Sequence, residues 1–300
     1  MTALGQSRRE ASAVWESWKT GQIKLQIAAI CALDSFPHWE TVGTLCCLEQ
    51  FYQRLENDWP EAQWLRWQED LGNWQNSDKL GLLLALEGAE PLEGQIELLH
   101  LFFRLGIRML GLTWNYRNQL ADGVKEQGGL SSLGKQFVRE MNRMGILLDA
   151  AHLAEKGFAD LLELTSKPLI VSHANCRRLC DHPRNLADWQ IKACAASGGV
   201  IGICFYPPFL TGTSQASLED VLDQIEYLAK VGGVDCVALG SDFDGMNWVP
   251  EGLEDVSKMP LLIEGLYKRG FSEKEIALIM GKNWLRVLQL PPKPQNHLLD

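Results

Sequence analysis

Residues 131–173 read SSLGKQFVREMNRMGILLDAAHLAEKGFADLLELTSKPLIVSH, and their pattern indicates the class of the fold. Two amphipathic segments with helical spacing, 131–144 and 155–165, alternate here with two short apolar runs, 146–151 and 168–172. Helical segments that alternate with apolar strands are typical of βα units repeated around a parallel sheet. The stretch therefore predicts a parallel α/β fold.

The same alternation continues on both sides of this stretch. Further strands are predicted at 24–33, 81–86, 107–113, 199–205 and 236–241. Further helices are predicted at 39–57, 94–105, 188–196, 217–231 and 272–288, and serines that suit a helix N-cap stand at the start of three helices, at Ser131, Ser217 and Ser272. No linker or low-complexity tract divides the chain. We therefore predict a (β/α)8 TIM-type barrel that forms a single domain over residues 1–300.

The predicted strands number seven, one fewer than a closed barrel of this type contains. The missing strand should precede residue 24. Residues 1–22 hold no β-prone apolar run, however, and residues 10–18 have the spacing of a short helix. Two explanations stay open at this point: the first strand is missing, or a segment elsewhere in the chain replaces it.

The composition excludes several classes of protein. The chain has 300 residues, of which 46% are hydrophobic and 22% charged, and its net charge is −10. That charge would repel a phosphate backbone, so no nucleic-acid partner is expected. No apolar segment reaches the ~18 residues that a spanning helix needs, and the eight cysteines lack paired CxxC spacing. We expect a soluble, cytoplasmic protein with reduced core cysteines and no membrane partner. The eleven tryptophans could form a subunit interface, so a monomer and a homodimer are both open.

Several of the predicted strands are followed by a side chain that is costly to bury alone. These residues are Glu87 after LLLAL, His152 after ILLDAA, His173 after PLIVS and Asp242 after CVALGS. In a barrel, residues after the carboxyl ends of the strands face one rim, where active sites lie. All four are of types that bind metals, which favours a metal site at that rim over unrelated caps or buried polar groups.

The ligand types indicate which metal this site suits. Two imidazoles and a carboxylate, from His152, His173 and Glu87, suit Zn²⁺ and leave a position open for water. A bound metal lowers the pKa of its water to ~7, which supplies hydroxide at neutral pH, and it polarises a substrate carbonyl. Asp242 then suits a proton shuttle between the attacking water and the leaving group. A helix N-cap and a further metal ligand are the alternatives for Asp242.

The loop after His173 carries a candidate for substrate binding. Its segment 172–187 reads SHANCRRLCDHPRNLA. The guanidinium of Arg184 matches a carboxylate in two-point fashion, with a surface salt bridge as the alternative. His182 is predicted to be a hydrogen-bonding group of the loop and not a metal ligand.

Several runs of the sequence together resemble a known family. They are GLTWNYRNQLADG (111–123), GLSSLGKQFVREMNRMGILLDAAH (129–152), SHANCRRLCDHPRNL (172–186), GGVIGICFYPPFL (198–210), LGSDFDG (239–245) and GKNWLRVL (281–288). In these runs the chain is similar to the membrane (renal) dipeptidase family and its bacterial relatives. The resemblance extends over residues 22–290.

The resemblance implies a barrel of the metal-dependent hydrolase kind that cleaves the peptide bond of dipeptides. In that family two zinc ions share a bridging glutamate, which Glu87 matches. His152 and His173 match the two histidines that complete one of those zinc sites. Asp242 matches the catalytic aspartate, so Glu87 and Asp242 are the implied catalytic residues. Arg184 matches the arginine that binds the terminal carboxylate of the substrate.

The resemblance also implies roles for further residues of the same runs. Trp114, Asn175 and Tyr206 are the additional implied substrate contacts. Trp114 stands where some members carry a substrate-contacting histidine, so we expect altered specificity. Asp149, three residues before His152, is expected to have a structural or outer-shell role.

The chain departs from the family in a pattern that concerns the metal. The first strand of the family ends in His-x-Asp, which binds the other zinc, and no His-x-Asp occurs in this sequence. We expect a polypeptide that begins too late, with a natural loss of the strand as the alternative. Asp34 is not expected to substitute, because it lacks a histidine partner. We therefore predict at most one tightly bound zinc ion, at Glu87, His152 and His173, and low or no activity.

The expected function is that of a zinc-dependent dipeptidase-like hydrolase whose partner is a small dipeptide. Two alternatives stay open. In one, an incomplete metal site leaves the protein impaired or non-catalytic. In the other, the same chemistry opens a lactam or a lactone, which makes the protein another kind of amidohydrolase.

Overall fold

The computed structural model describes residues 8–31 and 40–294 of the chain. Within them, eight strands form one sheet. The strands are β1 (Leu25–Ile30), β2 (Ala62–Trp64), β3 (Leu80–Leu86), β4 (Ile107–Gly111), β5 (Leu147–Asp149), β6 (Ile170–Val171), β7 (Val200–Ile203) and β8 (Val237–Leu239). Their hydrogen-bonded order is β1-β3-β4-β5-β6-β7-β8, and β2 pairs β3 beside this path. The predicted α/β fold and the sequential strand order are confirmed.

Helices separate most of these strands. They are α1 (Arg8–Thr20), α2 (Glu40–Asn57), α3 (Gln68–Gln75), α4 (Ile96–Arg104), α5 (Ser132–Met144), α6 (Glu155–Leu164), α7 (Asp188–Ala196), α8 (Pro207–Leu210), α9 (Leu218–Gly232), α10 (Met259–Lys268), α11 (Glu273–Ala277) and α12 (Asn283–Val287). A π-helical turn, Leu278–Lys282, joins α11 to α12. Every predicted strand and helix overlaps an element of the structure.

Two of the three predicted N-caps have the expected bond. The Ser131 hydroxyl accepts a hydrogen bond from the backbone N–H of Gly134 at 2.9 Å, and the Ser272 hydroxyl accepts one from Glu275 at 3.4 Å. Ser217 instead donates its backbone N–H and its hydroxyl to the Asp220 carboxylate, both at 2.8 Å. That carboxylate fixes the first turn of α9 in place of the serine oxygen.

Strand β2 was not predicted, and its position bears on the missing barrel strand. It pairs β3 at Leu80–Leu82, whereas β1 pairs β3 at Gly81–Leu86. A strand has two edges, so β2 lies on the edge that β4 joins further along, at Leu84–Leu86. Strand β2 therefore lies beside β3 and not beside β1, so it does not replace the missing first strand.

The segment before β1 is helical where it is described. The helix predicted for 10–18 lies within α1, and residues 8–24 contain no strand. Helices α3, α8 and α10 were also not predicted from the sequence. Asp34 lies outside the described residues.

The described chain forms two compact units. The first contains residues 8–15, 23–31, 40–164 and 289–294, with strands β1 to β5. The second contains residues 16–22 and 165–288, with strands β6 to β8. A single domain over residues 1–300 stays a prediction.

The core of the first unit includes a buried charge. Strand β3 is buried at every position, as in parallel strands that are covered on both faces. Arg108 of β4 is 0% exposed, and its guanidinium lies 4.2 Å from the Trp67 ring and 4.1 Å from the Phe103 ring. It donates to the carbonyl oxygens of Phe103 at 2.6 Å and Ile107 at 2.9 Å. Burial lowers the pKa of Arg108 to about 9.

In the second unit, α12 and a glycine fix the end of β8. The Asn283 amide donates to the carbonyl oxygens of Val234 and Val237, both at 2.8 Å. A Cβ on Gly240 would lie 1.9 Å from the carbonyl oxygen of Ser172, so only glycine allows the two backbones to approach this closely. The chain that leaves β8 therefore runs directly beside the end of β6.

Two expectations from composition can be compared with the structure. Seven of the eight cysteines, all except Cys46, are buried, which confirms them as core residues, and none forms a disulfide among the described residues. Among the described residues, no helix combines the length and the apolar character that a bilayer crossing requires.

Candidate metal centre

Glu87 and His152 meet in the first unit, at the ends of two strands. The backbone N–H of Glu87, directly after β3, donates to the carbonyl oxygen of Ile30 in β1 at 2.9 Å. The Nε2 atom of His152 lies 2.8 Å from Oε1 of Glu87. The His152 and Glu87 side chains are 7% and 21% exposed. A ring nitrogen and a carboxylate oxygen thus lie side by side in a place that is largely shielded from water.

The backbone of His152 is strained. Its φ is 66°, in the left-handed region that residues with a side chain rarely adopt. Backbone bonds hold this conformation, since Val124 donates to the His152 carbonyl oxygen at 2.9 Å. Asp149 also shapes the turn, because its carboxylate accepts from the backbone N–H of Ala151 at 3.0 Å. The structural role expected for Asp149 is confirmed. Strain of this kind clusters at functional sites.

Asn115 orients the His152 ring, and the sequence analysis missed it. Its Oδ1 atom lies 2.9 Å from Nδ1 of His152. An acceptor at Nδ1 holds the proton there and leaves the Nε2 lone pair available to a cation. A polar residue next to Trp114, four positions after the end of β4, was the available signal. The ring pairing could not be read from the sequence, because 37 positions separate the two residues.

Trp114 lies beside the same histidine. The two ring centroids are 6.1 Å apart, with an angle of 31° between the ring planes. The backbone N–H of Trp114 donates to Oε1 of Glu90 at 3.2 Å. This places the indole next to a candidate metal ligand, and its contact with substrate stays a prediction.

The second unit holds His173 and Arg184. His173 is 9% exposed, and its Nδ1 lies 2.8 Å from the Ser172 hydroxyl. Arg184 is 4% exposed, and its guanidinium donates to the carbonyl oxygen of His173 at 3.1 Å. The Nδ1 atom of His182 accepts from the backbone N–H of Arg184 at 3.1 Å, which confirms His182 as a hydrogen-bonding group of this loop. The loop is therefore built to keep Arg184 close to the backbone of His173.

Asp242 and Tyr206 lie near each other in the second unit. Burial raises the pKa of the Tyr206 phenol, and the charge of Asp242 raises it further. Asp242 is half-buried and has a φ of 65°. It precedes the short helical turn Phe243–Gly245, yet its side chain accepts no capping hydrogen bond from that turn. The N-cap alternative for Asp242 therefore gains no support.

Asn175 is a buried structural residue. Its side-chain amide donates to the carbonyl oxygen of Cys204 at 2.9 Å and accepts from the backbone N–H of Cys204 at 3.0 Å. These bonds fasten the loop after β6 to the end of β7. The predicted substrate contact of Asn175 stays a prediction.

The three predicted metal ligands come together. One ligand atom from each of Glu87, His152 and His173 lies within 4.8 Å of those of the other two. The donor set of one carboxylate and two imidazoles fits a divalent ion with a preference for nitrogen and oxygen ligands, zinc among them. The chain therefore contains a candidate metal site made of residues from three strand ends.

The chain resembles known proteins over most of its length. Residues 13–294 match the profile of the membrane dipeptidase family, peptidase family M19. Over 221 residues, which are 72% of this chain, it is 37% identical to the dipeptidase aclJ of Aspergillus oryzae and covers 52% of that protein. The chain thus spans about half the length of that relative.

Solved structures show the same fold. A crystal structure of dipeptidase AC, a metallopeptidase of family M19, has a TM-score of 0.86 at 26% identity, and the match covers 92% of this chain and 88% of that one. A metallopeptidase from Rhodobacter sphaeroides, solved with a phosphinate mimic of the dipeptide L-Ala-D-Ala, has a TM-score of 0.84 at 25% identity, with 92% and 89% covered.

Proposed function

We propose, since the chain belongs to the membrane dipeptidase family, that it is a metal-dependent hydrolase that cleaves the peptide bond of dipeptides. The observation that carries this proposal is the grouping of Glu87, His152 and His173 within 4.8 Å. The dipeptide mimic bound to the Rhodobacter protein supports the choice of substrate class.

The metal in this proposal is one zinc ion per chain. Glu87, His152 and His173 would hold it, with Asn115 directing the His152 ring. When bound, such an ion polarises the scissile carbonyl and lowers the pKa of a water molecule. Within the described residues, this is the group of three ligand side chains that the structure brings together. That grouping supports one tight site.

The residues of the second unit have the properties that their proposed roles need. Asp242 would accept a proton from the attacking water and pass it to the leaving amine. Asp242 follows the end of β8 by three residues, and its side chain is half-buried. Arg184 would bind the terminal carboxylate of the dipeptide, because a buried guanidinium makes a stronger ion pair than an exposed one. Trp114, Asn175 and Tyr206 are proposed as further substrate contacts.

Metal dependence and substrate range test the function together. The purified chain is stripped with a chelator, reloaded with zinc and assayed against L,L- and L,D-dipeptides, a lactam and a lactone. Zinc content is measured on the same samples, with His152→Ala as the inactive control. We expect about one zinc ion per chain and a low rate of dipeptide cleavage that returns only with zinc. Equal hydrolysis by the stripped protein or by His152→Ala would refute the proposal, and selective opening of the lactam or lactone would assign the other reaction.

The remaining expectations are proposals of the same kind. We propose a cytoplasmic protein that acts on small substrates and forms a homodimer. Sedimentation of the purified chain and fractionation of the producing cells test these points independently of activity.

A further inference from the structure

Glu90 is a buried acid that the proposed reaction does not use. It lies three residues after Glu87, and its Oε1 atom accepts from the backbone N–H of Trp114 at 3.2 Å and from the Asn118 amide at 3.1 Å. The other oxygen, Oε2, is buried and has no hydrogen-bond partner among the described residues. Burial raises the pKa of Glu90. A polar group buried in this way costs free energy, so a purely structural position would favour an apolar residue.

The carboxyl group packs against the residue that follows Glu87. A Cβ on Gly88 would lie 2.1 Å from Oε2 of Glu90 and 3.1 Å from the backbone nitrogen of Trp114. Gly88 has a φ of 89°, which also requires glycine. The Glu90 carboxyl group thus fills the space between the chain that leaves β3 and the chain that leaves β4.

Asn118 extends this contact along the loop after β4. Its Oδ1 accepts from the backbone N–H groups of Leu120 at 2.8 Å and Ala121 at 3.2 Å, and its Nδ2 donates to the carbonyl oxygen of Leu112 at 2.8 Å. Asn118 therefore ties both ends of the loop together. Glu90 holds this loop through Trp114 and Asn118, the residues on either side of the segment that contains Asn115.

Asn115 connects the loop after β4 to a candidate metal ligand. Its side chain lies 2.9 Å from Nδ1 of His152, while Nε2 of His152 faces Glu87. We propose that Glu90 is a positioning residue that sets the metal affinity of the centre by fixing Asn115, without touching the metal. This inference rests on the proposed metal binding.

The test separates the hydrogen bonds of Glu90 from its volume. Glu90→Met keeps the length of the side chain and removes both acceptor oxygens, whereas Glu90→Gln keeps an acceptor for Trp114 and Asn118. Asp70→Ala is the matched control. Asp70 also accepts from two backbone N–H groups, those of Arg66 and Trp67, both at 2.9 Å, but it serves the start of α3 and no metal ligand.

Two readouts are measured on each variant. The first is the zinc dissociation constant from competition with a chromophoric chelator. The second is the His152 imidazole nitrogen signal of the metal-free protein by NMR, assigned by its loss in His152→Gln. We expect Glu90→Met to weaken zinc binding by about 10-fold and to shift the His152 signal, since the direct outer partner of a ligand histidine typically contributes about 10- to 100-fold and Glu90 acts on that partner indirectly. Glu90→Gln should stay within a few-fold of the wild type, and Asp70→Ala should change neither readout.

Each outcome decides the inference. Wild-type zinc affinity and an unshifted His152 signal in folded Glu90→Met would overturn it, as would equal losses in Asp70→Ala. If Glu90→Met does not fold, Asn118→Ala is measured in its place, and the same two results decide. If the wild type binds no zinc, the proposed function fails, while the NMR signal of the metal-free protein still tests the role of Glu90.

Discussion

His152 and His173 are oriented in different ways. His152 is held by Asn115, from the loop after another strand, and its backbone is strained. His173 has a partner next to it in sequence, the hydroxyl of Ser172 at 2.8 Å. A partner from a distant loop makes the orientation of a ligand depend on the position of that loop. We therefore expect the metal affinity to respond strongly to changes around His152 and weakly to changes at Ser172.

The largest effect is expected at Asn115. Asn115→Ala removes the acceptor at Nδ1 of His152 and should weaken zinc binding by about 10- to 100-fold. Asn115→Asp keeps an acceptor at the same place and should bind zinc close to the wild type. The affinity is measured by chelator competition, and the unfolding temperature of each variant is recorded. If Asn115→Ala binds zinc as tightly as the wild type, Asn115 does not control the orientation of the His152 ring.

The effect expected at Arg184 is comparable or smaller. It concerns the binding of substrate and not the binding of metal. Losing a charge-assisted contact to a carboxylate typically costs ~1.5–3 kcal/mol. Arg184→Ala should therefore lower kcat/KM for a dipeptide by roughly 10-fold or more, mainly through KM, and leave zinc affinity unchanged. The C-terminal amide of the same dipeptide is the control, because it lacks the carboxylate and should lose little. An equal loss with both substrates would place Arg184 outside carboxylate binding.

The smallest effect is expected at Ser172. A neutral hydrogen bond contributes ~1 kcal/mol, so Ser172→Ala should weaken zinc binding by only about 5-fold. Ser172→Thr retains the hydroxyl group and should match the wild type. If Ser172→Ala loses as much affinity as Asn115→Ala, the two histidines depend equally on their partners.

The repeated part of the fold and the candidate metal ligands could be predicted from the sequence. Strands such as β3 and β7 are continuous apolar runs, so their burial on both faces follows from composition alone. Strand β2 escaped notice because AQW is too short to show a period and is only half-buried. Ser217 had the right type and place for an N-cap, but Asp220 supplied the carboxylate that fixes the helix start.

The alternation of strands and helices and the chemical types at the strand ends follow from the order of the residues alone. Glu87, His152 and His173 could be identified because each follows an apolar run and is costly to bury without a partner. The groups that surround them are known only from the folded chain: Asn115 at the His152 ring, Glu90 bonded to the loop that carries Asn115, and Arg184 at the carbonyl oxygen of His173. These pairings depend on distances between loops that lie far apart in sequence. Periodicity reports the environment along one element and carries no information on which loops meet.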